Sequence, residues 1–131
     1  MSTTVVEAVA PLVLVVDDEP DMRELARMIL ELDGLEVVEA ANGTEALEQF
    51  FALAPPPVPA VVILDNRMPG LTGLQVAESM LAHHPDQAII VFSAYLDRDL
   101  EAAARALGVA ECISKTEARH LPNLVRRLLE S

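Results

Sequence analysis

Apolar residues cluster along this chain in short unbroken runs: Leu12 to Val16 (LVLVV), Ala60 to Leu64 (AVVIL) and Ala88 to Phe92 (AIIVF). Unalternating runs of this length suit strands buried on both faces, as in a parallel sheet covered by helices. Leu35 to Glu39, with Val37 and Val38 at its centre, and Val109 to Ile113 read as two weaker strands. Between the runs the period changes to that of a helix. Met22, Leu25, Ala26, Ile29 and Leu30 line one face of a first helix, opened by Pro20 and ended by Gly34. Asn42-Gly43 turns the chain into a second helix marked by Ala46, Leu47, Phe50, Leu53 and Ala54. Thr72 is a plausible N-cap for a third, with Leu74, Val76, Ala77, Met80 and Leu81, ending near His83-His84-Pro85. Asp97 caps a fourth, with Leu100, Ala103, Ala104 and Leu107, closed by Gly108. Pro122 sits near the start of a fifth, whose apolar face is Leu121, Leu124, Val125, Leu128 and Leu129. Arg126-Arg127 suit its C-terminal end.

Five strands alternating with five helices predict an α/β fold: a doubly wound, five-stranded parallel sheet with right-handed crossovers and helices on both faces. Ala54 to Pro59 (APPPVP) must stop the second helix and reads as a stiff, extended connector between core elements. Residues 1–10 read as a short, partly disordered lead-in, and 11–131 as one domain.

Composition narrows the class of function. The 131 residues are enough for one adequate core, and the aromatic content is three Phe and one Tyr. The formal charge of −12 argues against a nucleic-acid surface and against docking on an anionic membrane. A single cysteine, Cys112, leaves no internal disulfide and fits a reducing compartment. The start lacks the basic region and long apolar core of a signal peptide, so the expectation is a cytoplasmic protein.

The polar residues that end the strands carry the chemistry. The first strand delivers Asp17-Asp18, the third Asp65, the fourth Ser93 and the fifth Lys115. In a parallel sheet these ends share one edge, where open α/β sheets build their sites. Each has a dull explanation alone, as a helix cap or a solvated residue; their joint occurrence at four strand ends does not. Three close carboxylates repel, by about 4 kcal/mol per pair at about 4 Å and an effective dielectric of about 20. One lysine cannot offset that, whereas a divalent cation can, and hard carboxylate oxygens suit Mg²⁺. Adding an ammonium and a small hydroxyl makes a site for a phosphoryl group. A carboxylate can itself accept the phosphoryl, and Asp65 is the best-placed candidate.

At this point the chain resembles the response-regulator receiver domain of two-component signalling over about residues 11 to 130. VLVVDDEPDMRELA resembles the family's first strand, acid pair and first helix; LDNRMPGLTG the phosphoacceptor segment; SAY the switch-hydroxyl segment; and ISK the lysine segment. The resemblance implies a flavodoxin-like fold with strand order 2-1-3-4-5. It implies phosphorylation of Asp65 by a histidine kinase or histidine phosphotransfer protein. It implies that Asp18, Asp65 and the backbone carbonyl of Arg67 ligate Mg²⁺, with Asp17 completing the acid pocket mostly through water. Lys115 would pair with the phosphoryl, and Ser93 would swing toward it.

Three positions depart from the family pattern. Cys112 stands where Tyr or Phe is usual, three residues before the lysine, so the usual ring readout is missing and Tyr95 is a candidate substitute. Thr116 follows Lys115 where a cis proline is usual, which predicts a trans bond and an altered loop. Arg67, two residues past Asp65, is long enough to cover or contact the phosphoryl. The expected function is a stand-alone regulator, not an enzyme, monomeric or weakly dimeric, signalling to a downstream protein through the face of the fourth helix, fifth strand and fifth helix. Two rivals are a receiver-fold adaptor that works without phosphorylation and an aspartyl-nucleophile phosphatase of the haloacid-dehalogenase type. The latter needs a second acid two residues after its nucleophile at the end of the first strand; Asp17 and Asp18 are adjacent there, with Glu19 next.

Overall fold

The computed structural model describes residues 10–53 and 59–130. Its elements are β1 (Leu12–Val16), α1 (Pro20–Leu32), β2 (Glu36–Ala40), α2 (Gly43–Ala52), β3 (Val61–Leu64), α3 (Gly73–His83), β4 (Ala88–Ser93), α4 (Arg98–Leu107), β5 (Glu111–Ser114) and α5 (Leu121–Leu129), with a 3₁₀ turn over Lys115–His120 before α5. All strand pairs are parallel and the order across the sheet is β2-β1-β3-β4-β5. This is the doubly wound α/β arrangement that the sequence predicts.

Alternate residues of each strand feed two cores. Leu14, Val16, Val62, Leu64, Ile89 and Val91 pack with Phe50, Val76, Met80 and Ala104 from α2, α3 and α4. Val13, Val15, Val61, Ile63, Ile90 and Phe92 pack with Ala26 and Leu30 of α1 and with Leu121 and Val125 of α5. The absence of alternation in the strand sequences therefore reports burial on both faces.

Three strands begin later than their apolar runs suggest: β2 and β3 by one residue and β5 by two. Leu35 donates its N–H to the Leu30 carbonyl, and Val109 donates its own to Ala104. Each follows a left-handed glycine, Gly34 at φ 85° and Gly108 at φ 101°. These are six-to-one bonds of the kind that close a helix C-terminus. Leu35 and Val109 thus belong to the ends of α1 and α4, and β2 and β5 start at Glu36 and Glu111. On α4, Ala104 is buried while Ala103 faces solvent, which corrects the expected apolar face to Leu100, Ala104 and Leu107.

The caps expected at Asp97 and Thr72 are in place, and Asn42, read from the sequence only as a turn residue, also caps α2: Asp97 accepts from Leu100 N–H at 2.8 Å and Asn42 from Glu45 N–H at 2.8 Å. Thr72 and Gln75 form a reciprocal capping box on α3. Of the proline-rich connector, residues 54–58 lie outside the described residues, as do residues 1–9 of the expected lead-in.

Candidate functional site

The sheet ladder runs one residue past the strands and fixes two acids. Asp17 N–H bonds the Ala40 carbonyl at 3.2 Å, and Asp65 N–H bonds the Val16 carbonyl at 2.9 Å. Their side chains therefore emerge side by side above β1 and β3. Both are buried, at 2% and 4% exposure, and Ser93 at the end of β4 is 1% exposed. Carboxylate oxygens of Asp17, Asp18 and Asp65 lie within 4.8 Å of one another. Lys115, arriving from β5, places Nζ 2.8 Å from Asp17 Oδ2 and 3.3 Å from Asp65 Oδ2. Asp17, Asp18, Asp65 and Lys115, expected from three of the strand ends, meet in this one pocket, and Ser93 ends β4, the neighbour of β3 in the sheet.

The charges do not balance. Three carboxylates face one ammonium, with Glu19 adding a longer contact to Lys115 at 3.6 Å. Burial, then the neighbouring Asp17 charge, pushes the Asp65 carboxyl up from 3.8 to about 6, although Lys115 and the Arg67 backbone N–H both pull it down. Burial opposes the Lys115 charge, but the Asp17 hydrogen bond and charge, followed by Asp65, more than compensate, so its proton is held more tightly than usual. The pocket favours extra positive charge. Clustered hard oxygen donors of this kind fit Mg²⁺, and Asp17, Asp18 and Asp65 are the side chains that could hold it.

The polar switch candidate is already engaged. Ser93 Oγ accepts from Tyr95 N–H at 3.1 Å, which ties the hydroxyl to the loop before α4. Tyr95 itself is 62% exposed, and its ring carries the Arg67 guanidinium 4.1 Å from the ring centre. Arg67, two residues past Asp65, thus lies over Tyr95, two residues past Ser93.

A sequence profile described as the response regulator receiver domain matches residues 13–126. The chain belongs to the response regulator receiver domain family. The receiver is 47% identical over 93 residues to the positive alginate biosynthesis regulatory protein of Pseudomonas aeruginosa, a match that covers 69% of this chain and 36% of that protein. It therefore spans about a third of that relative's length. Among solved structures, a response regulator receiver domain from Clostridium thermocellum superposes with a TM-score of 0.84 at 29% identity, covering 92% of this chain and 94% of that one. The TrrA response regulator of Thermotoga maritima, in complex with Mg²⁺ and a beryllium fluoride, superposes with a TM-score of 0.80 at 35% identity, covering 90% and 98%.

The departures take definite form in the receiver's structure. Cys112 is a half-buried free cysteine packed against the core, and burial, then the Glu101 charge, pushes its thiol up. Thr116, the second residue of the 3₁₀ turn, donates its N–H to the Ser114 Oγ that caps the turn, at 3.2 Å, a bond that a proline there could not make. His83 and His84 close α3 against aromatic rings: His83 stacks edge-on with Phe51, and His84 with Phe50. Among the described residues, neither histidine belongs to a group of three or more side chains placed to hold a metal ion. Two supporting residues escape a reading of strand ends. Arg23, one turn into α1, donates to the Asp17 carbonyl at 2.7 Å and to Glu39 at 3.2 Å. Asn66 bonds the start of α3. The signal for Asn66 is its polarity at the second position beyond a buried strand, next to Asp65.

Proposed function

We propose that this receiver is a phosphorylation switch. Asp65 accepts a phosphoryl group from a phosphohistidine of a histidine kinase or histidine phosphotransfer protein, and the phosphorylated form acts on a downstream protein. The observation that carries this reading is the buried Asp65 carboxylate, held at a strand end between Lys115 and two further acids.

In the transfer, a carboxylate oxygen of Asp65 attacks phosphorus, the phosphorus–nitrogen bond breaks, and the imidazole leaves with the electron pair and takes up a proton. Asp17, Asp18, Asp65 and the backbone carbonyl of Arg67 would hold Mg²⁺. Bound Mg²⁺ supplies positive charge to the phosphoryl oxygens as the transfer proceeds. Lys115 releases Asp65 and pairs with a phosphoryl oxygen. The Ser93 hydroxyl turns from the Tyr95 N–H to donate to another. The loop before α4 then loses a tether, which gives the switch a route to the face of α4, β5 and α5.

The domain works as a signalling module without turnover of its own, in the cytoplasm, as a monomer or weak dimer. Among the described residues no helix is long and apolar enough to cross a membrane, and the charge of −12 favours a protein partner over nucleic acid. The test is intact mass after incubation with acetyl phosphate, with and without Mg²⁺, for wild type and Asp65→Asn. One phosphoryl group that needs Mg²⁺ and is absent from the variant supports the switch. No modification, from acetyl phosphate or from phosphorylated kinase, favours the adaptor; continuous hydrolysis of a generic phosphate ester favours the phosphatase.

A further inference from the structure

We infer that Asn66 is a positioning residue for the phosphoacceptor loop: it locks the Asp65–Arg67 backbone to the first turn of α3 and so sets the affinity of the acid pocket for a divalent cation. The inference rests on the reading of Asp65 and the Arg67 carbonyl given above. A helix leaves its first four N–H groups without intrahelical partners. On α3 all four are satisfied. Thr72 N–H bonds Gln75 Oε1, and Gln75 N–H bonds Thr72 Oγ1. The other two both go to Asn66: Gly73 N–H to its carbonyl at 3.0 Å and Leu74 N–H to its Oδ1 at 3.1 Å.

A second observation points the same way. A side chain on Gly73 would press into the Asp65 carbonyl and would come within 2.9 Å of Asn66 Cα. The backbone of Asp65 and Asn66 therefore lies directly on the bare face of Gly73. On the other side, the Arg67 N–H hydrogen-bonds the Asp65 carboxylate. Asn66 is the only residue between the acid and the carbonyl proposed to bind the cation. With its amide oxygen removed, the loop keeps only the main-chain bond to Gly73 as its hydrogen bond to α3, and its backbone at Asn66 is held less firmly against the helix. Partners that orient metal ligands in this way typically contribute about 10–100-fold to affinity.

Thr72 supplies the control, because it caps the same helix without touching the loop. Calorimetric titration with MgCl₂ is expected to show wild-type binding, about tenfold weaker binding by Asn66→Ala, and unchanged binding by Thr72→Ala although that variant loses comparable stability. Asn66→Asp keeps the acceptor oxygen and is expected to bind at least as tightly as wild type. In the metal-free proteins, amide exchange at Leu74 should quicken in Asn66→Ala but not in Asn66→Asp. Equal Mg²⁺ affinity for wild type and Asn66→Ala, or an equal loss in Thr72→Ala, would overturn the positioning role alone. A wild-type protein that takes no Mg²⁺ would overturn the reading of the pocket and this inference with it.

Discussion

Asp65→Asn should make the metal-free protein more stable at neutral pH. The carboxyl that ionises at 3.8 in an unfolded chain ionises at about 6 in the folded one, because it is buried and faces Asp17. The folded state therefore binds more protons than the unfolded state between these values, and stability falls as pH rises through the window. At about 1.4 kcal/mol for each tenfold change in proton affinity, the full cost above pH 7 is about 3 kcal/mol. Asparagine keeps the shape without the charge, and Lys115 keeps its shorter contact to Asp17. The gap between variant and wild type should be about 3 kcal/mol at pH 7.5 and about 1 kcal/mol at pH 4.5. The assay is urea unfolding followed by circular dichroism in the presence of EDTA. With a slope of about 2 kcal/mol/M, the midpoint at pH 7.5 should rise by about 1.5 M. A variant midpoint at or below that of wild type at pH 7.5 would refute the reasoning, because it would mean that the Lys115 and Arg67 contacts outweigh burial and repulsion.

Other outcomes follow from the surrounding structure. Arg67→Ala should speed decay of the phosphorylated form about two- to fivefold, since the Arg67–Tyr95 stack joins the segments after Asp65 and Ser93 and is worth about 0.5–1 kcal/mol; Tyr95→Ala should do the same, and the double variant should add little, as read from phosphoryl loss over time. Unchanged decay in Arg67→Ala would remove any role for that side chain at the pocket. Gly73→Ala should destabilise by about 1–3 kcal/mol in urea unfolding, because the new methyl meets backbone at Asp65 and Asn66 that cannot move aside cheaply. Phe50→Ala should lose about 3–5 kcal/mol by the same measurement, as the ring is fully buried beneath α2.

The sheet and its chemistry were legible because burial on both faces leaves an unmistakable trace. Leu12–Val16 and Ala88–Phe92 carry no alternation, and each ends abruptly in a buried polar residue, Asp17 and Ser93. Strand starts were less legible. Leu35 and Val109 are apolar and look like strand residues, yet the glycine before each turns it back to close a helix. Their apolar character serves packing in both roles, so the pattern cannot separate them. Supporting contacts were the least legible. Arg23 reaches the Asp17 carbonyl from a helix surface, and Asn66 serves a helix that begins seven residues later. Such bonds depend on the tertiary placement of backbone groups, which local spacing does not encode. The positions of Thr116 and Cys112 could be singled out as departures, but only the geometry shows Thr116 exploiting its N–H and Cys112 packed as a thiol.

The most direct test of the account is to locate the phosphoryl group chemically. After treatment with acetyl phosphate and Mg²⁺, borohydride reduction converts an aspartyl phosphate to homoserine, and peptide sequencing by mass spectrometry finds its position. Homoserine is expected at residue 65 alone, and none without Mg²⁺. Homoserine at 17 or 18, or no conversion when the intact protein carries a phosphoryl group, would contradict it.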